Sequence, residues 1–415
     1  MDFNVLVIGG GAAGLMAAGT AAAYGAKVCL IEKNDKLGKK LFITGKGRCN
    51  VTNAAPIADF MNQIPGDGRF LYSAFSAFTN EDMRTLLRQM GVETKVERGG
   101  RVFPVSDKSS DVIRALSDYA SACTIQLGSK VKDLITKNGN VCGVTLANGK
   151  TITSETVIVA TGGISYPQTG SDGDGYRFAK TSGHAVIEPK ASLVPLETVE
   201  SWPKDAMGLS LKNVGLSAKD AKGKTLYQEN GELLFTHFGL SGPLVLSASA
   251  HFRDYEHNRY QITIDLKPAL SFEQLDSRIL RDFSEEINKD FINSLDKLLP
   301  KKLIPVIVRL SGIDPRKKVN EITKTERTRL VQLLKTLTLS VKRSRPIAEA
   351  IITAGGVSTK ELVPKTMASK KLSGLFFAGE VIDLDAYTGG YNLQIAFSTG
   401  YLAGKSAAET VFGIL

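Results

Sequence analysis

The run from Val5 to Gly14, Val-Leu-Val-Ile-Gly-Gly-Gly-Ala-Ala-Gly, constrains this chain more than any other stretch. Its four leading apolar residues, three of them β-branched, predict a buried strand of a parallel sheet. Gly9, Gly11 and Gly14 then spell G-x-G-x-x-G, and the alanine-rich residues 15–24 predict a helix. In this motif the first glycine permits a tight turn and the second lets a pyrophosphate approach the backbone. The third lets helix and strand pack closely. The helix N-terminus offers unpaired N–H groups and partial positive charge to phosphates. A second apolar run, Val28–Ile31, leads into Glu32, eighteen residues beyond Gly14, where an acid accepts hydrogen bonds from a ribose. Strand, turn, helix, strand and acid together predict a dinucleotide-binding βαβ unit. They do not distinguish NAD from FAD.

At 415 residues the chain has room for two or three domains. No apolar run approaches the ~20 residues that span a membrane. The N-terminus enters a strand at once, without a basic segment and cleavage site, so no leader is expected. The four cysteines, Cys29, Cys49, Cys123 and Cys142, form no C-x-x-C pair. A reduced, cytoplasmic setting is expected, with neither a redox disulfide nor a zinc knuckle. Charge is unevenly placed. Residues 301–345 hold thirteen Lys/Arg and three acids, Asp314, Glu321 and Glu326, which accounts for the whole net charge of +10.

After Glu32 the chain is polar and basic to Lys40, then reads Leu-Phe-Ile-Thr-Gly-Lys-Gly-Arg-Cys-Asn-Val-Thr-Asn from Leu41 to Asn53. Gly45 and Gly47 flank Lys46 and precede Arg48, which predicts either a second close-approach loop with cationic donors or a basic surface turn. Helices are predicted over 70–91 and 107–119. Strands are predicted around 124–127, 131–136 and 141–146, with a hairpin turn at Asn148-Gly149 before a strand over 151–153. Residues 156–163, Thr-Val-Ile-Val-Ala-Thr-Gly-Gly, predict another buried strand ending in small residues. A helix restarts over 174–181. The composition changes near Pro189, after which residues 191–267 show short β-like runs and residues 271–340 show helical spacing with little strand character. α/β character then returns: Leu375-Phe-Phe-Ala-Gly-Glu-Val-Ile-Asp383 predicts a strand, and residues 395–410 a closing helix. The Gly-rich start of that helix, near Gly390–Asn392, is a second place for a cofactor.

With these motifs in hand, the chain resembles the BaiN/RdsA-like family of FAD-dependent oxidoreductases over essentially its whole length. The resemblance rests on Gly9–Leu15, on G-K-G-R-C-N-V-T-N at Gly45–Asn53, on A-T-G-G at Ala160–Gly163 and on L-F-T-H-F-G-L-S-G-P at Leu234–Pro243. It rests further on A-G-G-V at Ala354–Val357, and on G-L-F-F-A-G-E-V-I-D with T-G-G-Y-N-L-Q between Gly374 and Gln394. It implies an α/β fold: a Rossmann-like FAD-binding domain in two parts, 1–190 and 346–415, with an insert over 191–345. The insert is expected to be β-rich and barrel-like over 191–267, and helical and basic over 268–345. It also implies non-covalent FAD, held by Gly9, Gly11, Ala12, Ala13, Gly14, Glu32, Lys33 and Lys40. Thr44, Gly45, Gly47, Arg48, Cys49, Asn50 and Val131 belong to the same expectation, as do Ala160, Thr161 and Gly162. From the C-terminal part come Gly379, Glu380, Asp383, Gly390, Tyr391, Asn392 and Leu393. Glu380 stands where the wider flavoprotein group uses aspartate to hold the ribityl chain. Family members are associated with reductions, and one branch with reducing a ribosomal RNA uridine.

A flavin carries the hydride chemistry, and the protein supplies position, electrostatics and a proton donor. With no second G-x-G-x-x-G, NAD(P)H would dock transiently rather than on a domain of its own. Two proton donors are candidates. Cys49 lies beside Arg48, which would lower its pKa, or is a buried structural thiol. His237 precedes a Gly-Leu-Ser-Gly-Pro turn, or is structural. His184, His251 and His257 lack a comparable context, and there is no metal-ligand cluster. Three functions stay open: an FAD-dependent reductase of an RNA base, an oxidase or reductase of a small amine or enone, and a non-enzymatic flavoprotein. The basic segment 301–345 points to ribosomal RNA, with Lys324, Arg327 and Lys335 sharing part of one helical face, or it is a solvated surface.

Overall fold

The computed structural model describes residues 1–252, 254–255 and 259–414; His257 lies outside them. The chain forms two compact units, Met1–Ser192 with Ile347–Leu415, and Leu193–Pro346.

In the first unit the glycine-rich stretch forms the strand Phe3–Ile8 and the helix Ala12–Ala23. This strand runs parallel to Val28–Ile31 on one side and to Thr156–Val159 on the other. Thr124–Gln126 and Leu375–Phe377 add further parallel strands. The hairpin strand at Thr151 and the apolar strand ending at Val159, read separately from sequence, are one element, Thr151–Val159. Its first half pairs antiparallel with Asn140–Leu146, and its second half enters the parallel sheet. Nothing between Thr153 and Thr156 breaks an extended chain, so the sheet extends through it. The helix expected over 70–91 is interrupted. Tyr72–Ala77 ends at Phe78, and Asn80–Gln89 begins anew behind a capping box in which Thr79 and Asp82 exchange hydrogen bonds. The expected strand 375–383 keeps regular pairing only to Phe377, because Gly379 has φ +76° and turns the chain.

The alanine-rich helix is buried from Ala13 to Ala21, which removes the need for an amphipathic pattern. The closing helix Tyr391–Val411 crosses it at small residues. A Cβ on Gly400 would stand 2.4 Å from the Ala13 carbonyl oxygen, and one on Gly404 2.3 Å from that of Ala17. Side chains at these positions would force the helices apart.

The second unit is a closed barrel of six strands in the order Leu196–Thr198, Gly239–Ser241, Thr225–Phe235, Ser210–Lys219, Tyr260–Asp265 and Leu337–Ser344. Three helices, Phe272–Ser284, Ile304–Ser311 and Lys324–Lys335, lie between the last two strands in the chain. Leu337–Ser344 corrects the expectation that residues 268–345 are helical. Leu337, Leu339 and Val341 point inward and Thr338, Ser340 and Lys342 outward, a period of two that the basic composition obscured.

Among the described residues no helix is long and apolar enough to cross a membrane.

Candidate functional site

The three motif glycines do different work in the first unit. Gly9 has φ +105°, and a Cβ there would lie 2.6 Å from the Ala160 carbonyl oxygen. A Cβ on Gly14 would lie 1.8 Å from the Gly9 oxygen, whereas one on Gly11 would meet no atom within 4 Å. The outer two glycines are therefore demanded by the fold, and the middle one keeps space open beside the helix start. No side chain caps that helix, and its first turn, with Ala12 and Ala13, holds no acid. An uncapped N-terminus facing open space is a site for phosphate.

Glu32 is buried beside it, and its Oε2 accepts the Gly10 N–H at 2.7 Å. Oε1 accepts the backbone and side-chain N–H groups of Asn34, each at 2.7 Å. The loop thus fixes the carboxylate at the end of its strand and leaves one acceptor position open, on Oε2. Gly128 and Ser129 donate backbone N–H groups to the carbonyls of Asn34 and Glu32, which brings Val131 alongside.

Lys40 and Glu380, 340 residues apart, meet directly. The Lys40 ammonium donates to Glu380 Oε2 at 2.6 Å, to Oε1 at 2.9 Å and to Ser165 Oγ at 2.7 Å. Glu380 Oε1 also accepts the Thr353 N–H at 2.9 Å, and Thr353 Oγ1 accepts the N–H groups of Ile164 and Ser165. Glu380 therefore ties together the Lys40 helix, the loop after the Ala160-Thr-Gly-Gly strand, and the strand Ile352–Val357. Lys33 is drawn to Asp172 at 2.5 Å and Asp174 at 3.1 Å. Ser165, Thr353, Asn34 and Asp172 were not singled out in the sequence, because each acts through a partner distant in the chain. In the small-residue turn after Val159, Gly162 has φ +74° and the Thr161 hydroxyl is buried with no partner.

The loop Thr44–Asn50 is strained: Lys46, between the left-handed Gly45 and Gly47, holds a φ of +60°, and Cys49 two residues further on holds +59°. Thr44 Oγ1 donates to the Leu41 carbonyl, its side chain is hydrogen-bonded by the Cys49 thiol, and its own carbonyl accepts the Cys49 N–H. Arg48 does not act on Cys49 as expected. Its guanidinium hydrogen-bonds Glu97 and Asp107 and lies 4.1 Å over the Phe103 ring. Cys49 is fully buried, and that burial pushes its thiol up to about 12. An activated thiol at Cys49 is thereby corrected: burial opposes the thiolate, and the neighbouring cation is spent elsewhere. The Asn50 Oδ1 is buried without a partner.

This loop meets the start of the closing helix. Asn53 donates to the Gly389 carbonyl at 3.0 Å, and Thr52 Oγ1 donates to Gln394 Oε1 at 2.8 Å. Gly390, at φ +103°, leaves 2.3 Å between a Cβ and the Thr52 oxygen. No side chain caps the helix there. Tyr391 packs edge-on against Phe60, Asn392 holds both the N–H and the carbonyl of Ala386, and Leu393 packs on the core. Gly379 donates its N–H to Thr399 Oγ1, and Asp383 donates its N–H to the Val357 carbonyl. The first unit thus assembles two uncapped helix starts, with buried unpartnered acceptors at Asn50 and Thr161. Uncapped helix starts of this kind favour negative charge, and the unpartnered polar atoms are open to a ligand's hydrogen bonds.

His237 lies in the second unit, exposed, in a tight turn between two barrel strands. Thr236 N–H donates to the Gly239 carbonyl, and the Thr236 hydroxyl accepts the Gly239 N–H. The basic segment is not the open face expected. Arg327 is paired with Asp276 and Lys335 with Asp265, both at 2.6 Å. Lys317 pairs with Glu326 and Lys318 with Asp290, and Arg343 and Arg345 share Glu197. Arg327 and Lys335 hold their helix to its neighbours, so they do not form a free basic stripe with Lys324.

Residues 3–406 match the family described as "HI0933-like protein Rossmann domain". The chain is 31% identical over 413 residues to the 3-dehydro-bile acid delta(4,6)-reductase of Clostridium scindens, covering 97% of this chain and 98% of that protein. It is 32% identical over 409 residues to a ribosomal RNA dihydrouridine synthase of Haemophilus influenzae, with the same two coverages. Among solved structures, the 3-ketosteroid-delta4-(5alpha)-dehydrogenase of Rhodococcus jostii RHA1, in complex with 4-androstene-3,17-dione, has a TM-score of 0.52 at 17% identity. That alignment covers 98% of this chain and 96% of the other, and the likeness is one of fold.

Proposed function

The chain belongs to the HI0933-like Rossmann family of FAD-dependent oxidoreductases, and on that premise we propose that it reduces a carbon–carbon double bond conjugated to a carbonyl. The observation that carries the cofactor half is the open position at Gly11 before an uncapped helix. The reaction half is supported by two relatives whose names denote saturation of such bonds, in a 3-oxo bile acid and in a uracil base. Bound FAD supplies the hydride. Glu32 would accept an adenosine ribose hydroxyl, Gly11 and Ala12 would receive the phosphates, and the helix start at Gly390 would favour negative charge on the cofactor. His237, exposed in a turn fixed at both ends, is our candidate for delivering the proton, in place of Cys49. NAD(P)H is our candidate electron donor, docking without a domain of its own. The setting we propose is the cytoplasm, where the cysteines, all free, stay reduced.

The acceptor we favour is an unpaired uracil base of ribosomal RNA, in keeping with the net charge of +10. The internal pairing of the basic segment favours a second reading, a small enone. Anaerobic mixing of the photoreduced protein with unmodified ribosomal RNA fragments and with a steroid-type enone separates them. RNA should reoxidise the protein and gain two hydrogens per reduced base by mass. Reoxidation by the enone alone establishes the second reading, and reoxidation by neither sinks the reductase.

A further inference from the structure

Among the described residues, cations without acidic partners gather at one end of the barrel. The long hairpin Ser210–Lys219 and Thr225–Phe235 turns at 220–224. Lys219, Lys222 and Lys224 are exposed there, and among the described residues none of them is in an ion pair. The one acid in the turn, Asp220, is occupied: its Oδ1 accepts the backbone N–H groups of Lys222 and Lys224, each at 2.9 Å.

Strand register extends this charge sideways. Lys219 stands opposite Gln261, and Gln261 opposite Ser340. Tyr260 stands opposite Val341, so Arg259 and Lys342 occupy the next rung, both exposed. Buried residues alternate with these positions along each strand, which places Lys219, Gln261, Ser340 and Lys342 on the outer face. Glu200, just beyond the strand Leu196–Thr198, accepts the Ser340 N–H on both carboxylate oxygens. Five cations thus border a face of amide and hydroxyl groups that also includes Thr263 and Thr338, whose hydroxyls are 3.2 Å apart.

We propose that this end of the barrel, Lys219, Lys222, Lys224, Arg259 and Lys342, is the docking surface for the RNA phosphate backbone. This rests on the reading that the acceptor is an RNA base. Cations set phosphate affinity, and the hydroxyls and amide between them suit sugar and phosphate oxygens. A membrane surface would need apolar anchors, and exposed Val199, beside Ser340, is too little for one. A stable protein partner would need a buried apolar or aromatic centre, which the described residues of this face do not supply.

The test is fluorescence anisotropy of a labelled ribosomal RNA fragment with the FAD-loaded protein between 50 and 200 mM salt (a range with known slopes). The variants are Lys219→Gln/Lys222→Gln/Lys224→Gln and, as control, Arg316→Gln/Lys317→Gln/Lys318→Gln. The hairpin variant should bind about tenfold more weakly and lower the log–log salt slope by about two. The control should change neither by comparable amounts. FAD content and Tm of both variants are measured alongside, since all six side chains lie outside the cofactor unit. Wild-type binding that the hairpin variant leaves intact overturns the surface while sparing the RNA acceptor. No binding by wild type removes the RNA acceptor itself. Equal binding to phosphatidylserine vesicles with none to RNA overturns the assignment of the patch to RNA.

Discussion

The two units put their ion pairs to different ends. In the glycine-motif unit, two ion pairs join segments remote in sequence, and one of them is shielded from water. Lys40 and Glu380 leave only 23% and 13% of their side chains exposed, and Lys33 reaches Asp172 across 139 residues. In the barrel unit Arg327 and Lys335 are shielded too, each holding a helix to its neighbours through Asp276 and Asp265, while Arg343, paired with Glu197, leaves 63% of its side chain exposed. The difference teaches what each charge is for. Where N- and C-terminal segments must meet around one cofactor, a shielded pair fixes their relative position. On the barrel, charges cap helices and cover helix seams, and those left over are available to a partner.

The largest expected effect sharpens the distinction between glycines that build the cradle and the one that keeps it open. Gly14→Ala should cost about 3 kcal/mol or prevent folding, because its Cβ meets backbone 1.8 Å away. Gly11→Ala should keep the apoprotein stable within about 0.5 kcal/mol. It should still weaken FAD binding by at least about tenfold, which is 1.4 kcal/mol. Thermal melts of apoprotein with flavin-fluorescence titration separate the two. An FAD affinity unchanged in Gly11→Ala removes the phosphate role of that open space.

Next comes the ion-pair comparison itself. Lys40→Met leaves Glu380 shielded without its cation and should cost about 3 kcal/mol by urea denaturation. Arg343→Gln, at an exposed pair, should cost less than about 1 kcal/mol. Equal costs would break the comparison between the units.

The smallest effect concerns acid. In the barrel unit the Glu326 carboxyl is held at about 2, first by the hydrogen bond from Lys317 and then by the Thr323 N–H. An unfolded glutamate titrates near 4.3. A folded value below the unfolded one stabilises above about pH 4.3, and that stability is lost as pH falls towards 2. Wild type should therefore lose more Tm than Glu326→Gln between pH 4.5 and 2. Parallel curves over that window would show that this exposed carboxylate contributes nothing to the fold.

Much of the first unit was legible from local pattern. Val5–Ile8, the glycines and Glu32 announce themselves because strand, turn and helix each depend on neighbours within a few residues. The outward alternation of Leu337–Ser344 was legible too, but its charges masked the period. Cys49 shows the limit: its neighbour in sequence is Arg48, yet the guanidinium turns to Glu97 and Asp107. Adjacency in the chain says nothing about which way a long side chain points.

The sequence by itself determined the βαβ unit with its glycine turn, the return of α/β character in the C-terminal part and the position of the excess charge along the chain. Tertiary structure alone decided that Lys40 pairs with Glu380, that Thr151–Val159 is one strand joining the antiparallel and parallel parts of one sheet, and that Cys49 is sealed. It also decided which cations remain unpaired, leaving those at the barrel end exposed while Arg327 and Lys335 are consumed. The physical reason is that a hydrophobic period or a glycine turn is set by bonds a few residues long. The state of a charge is set by whatever folding brings within hydrogen-bond reach, often from hundreds of residues away.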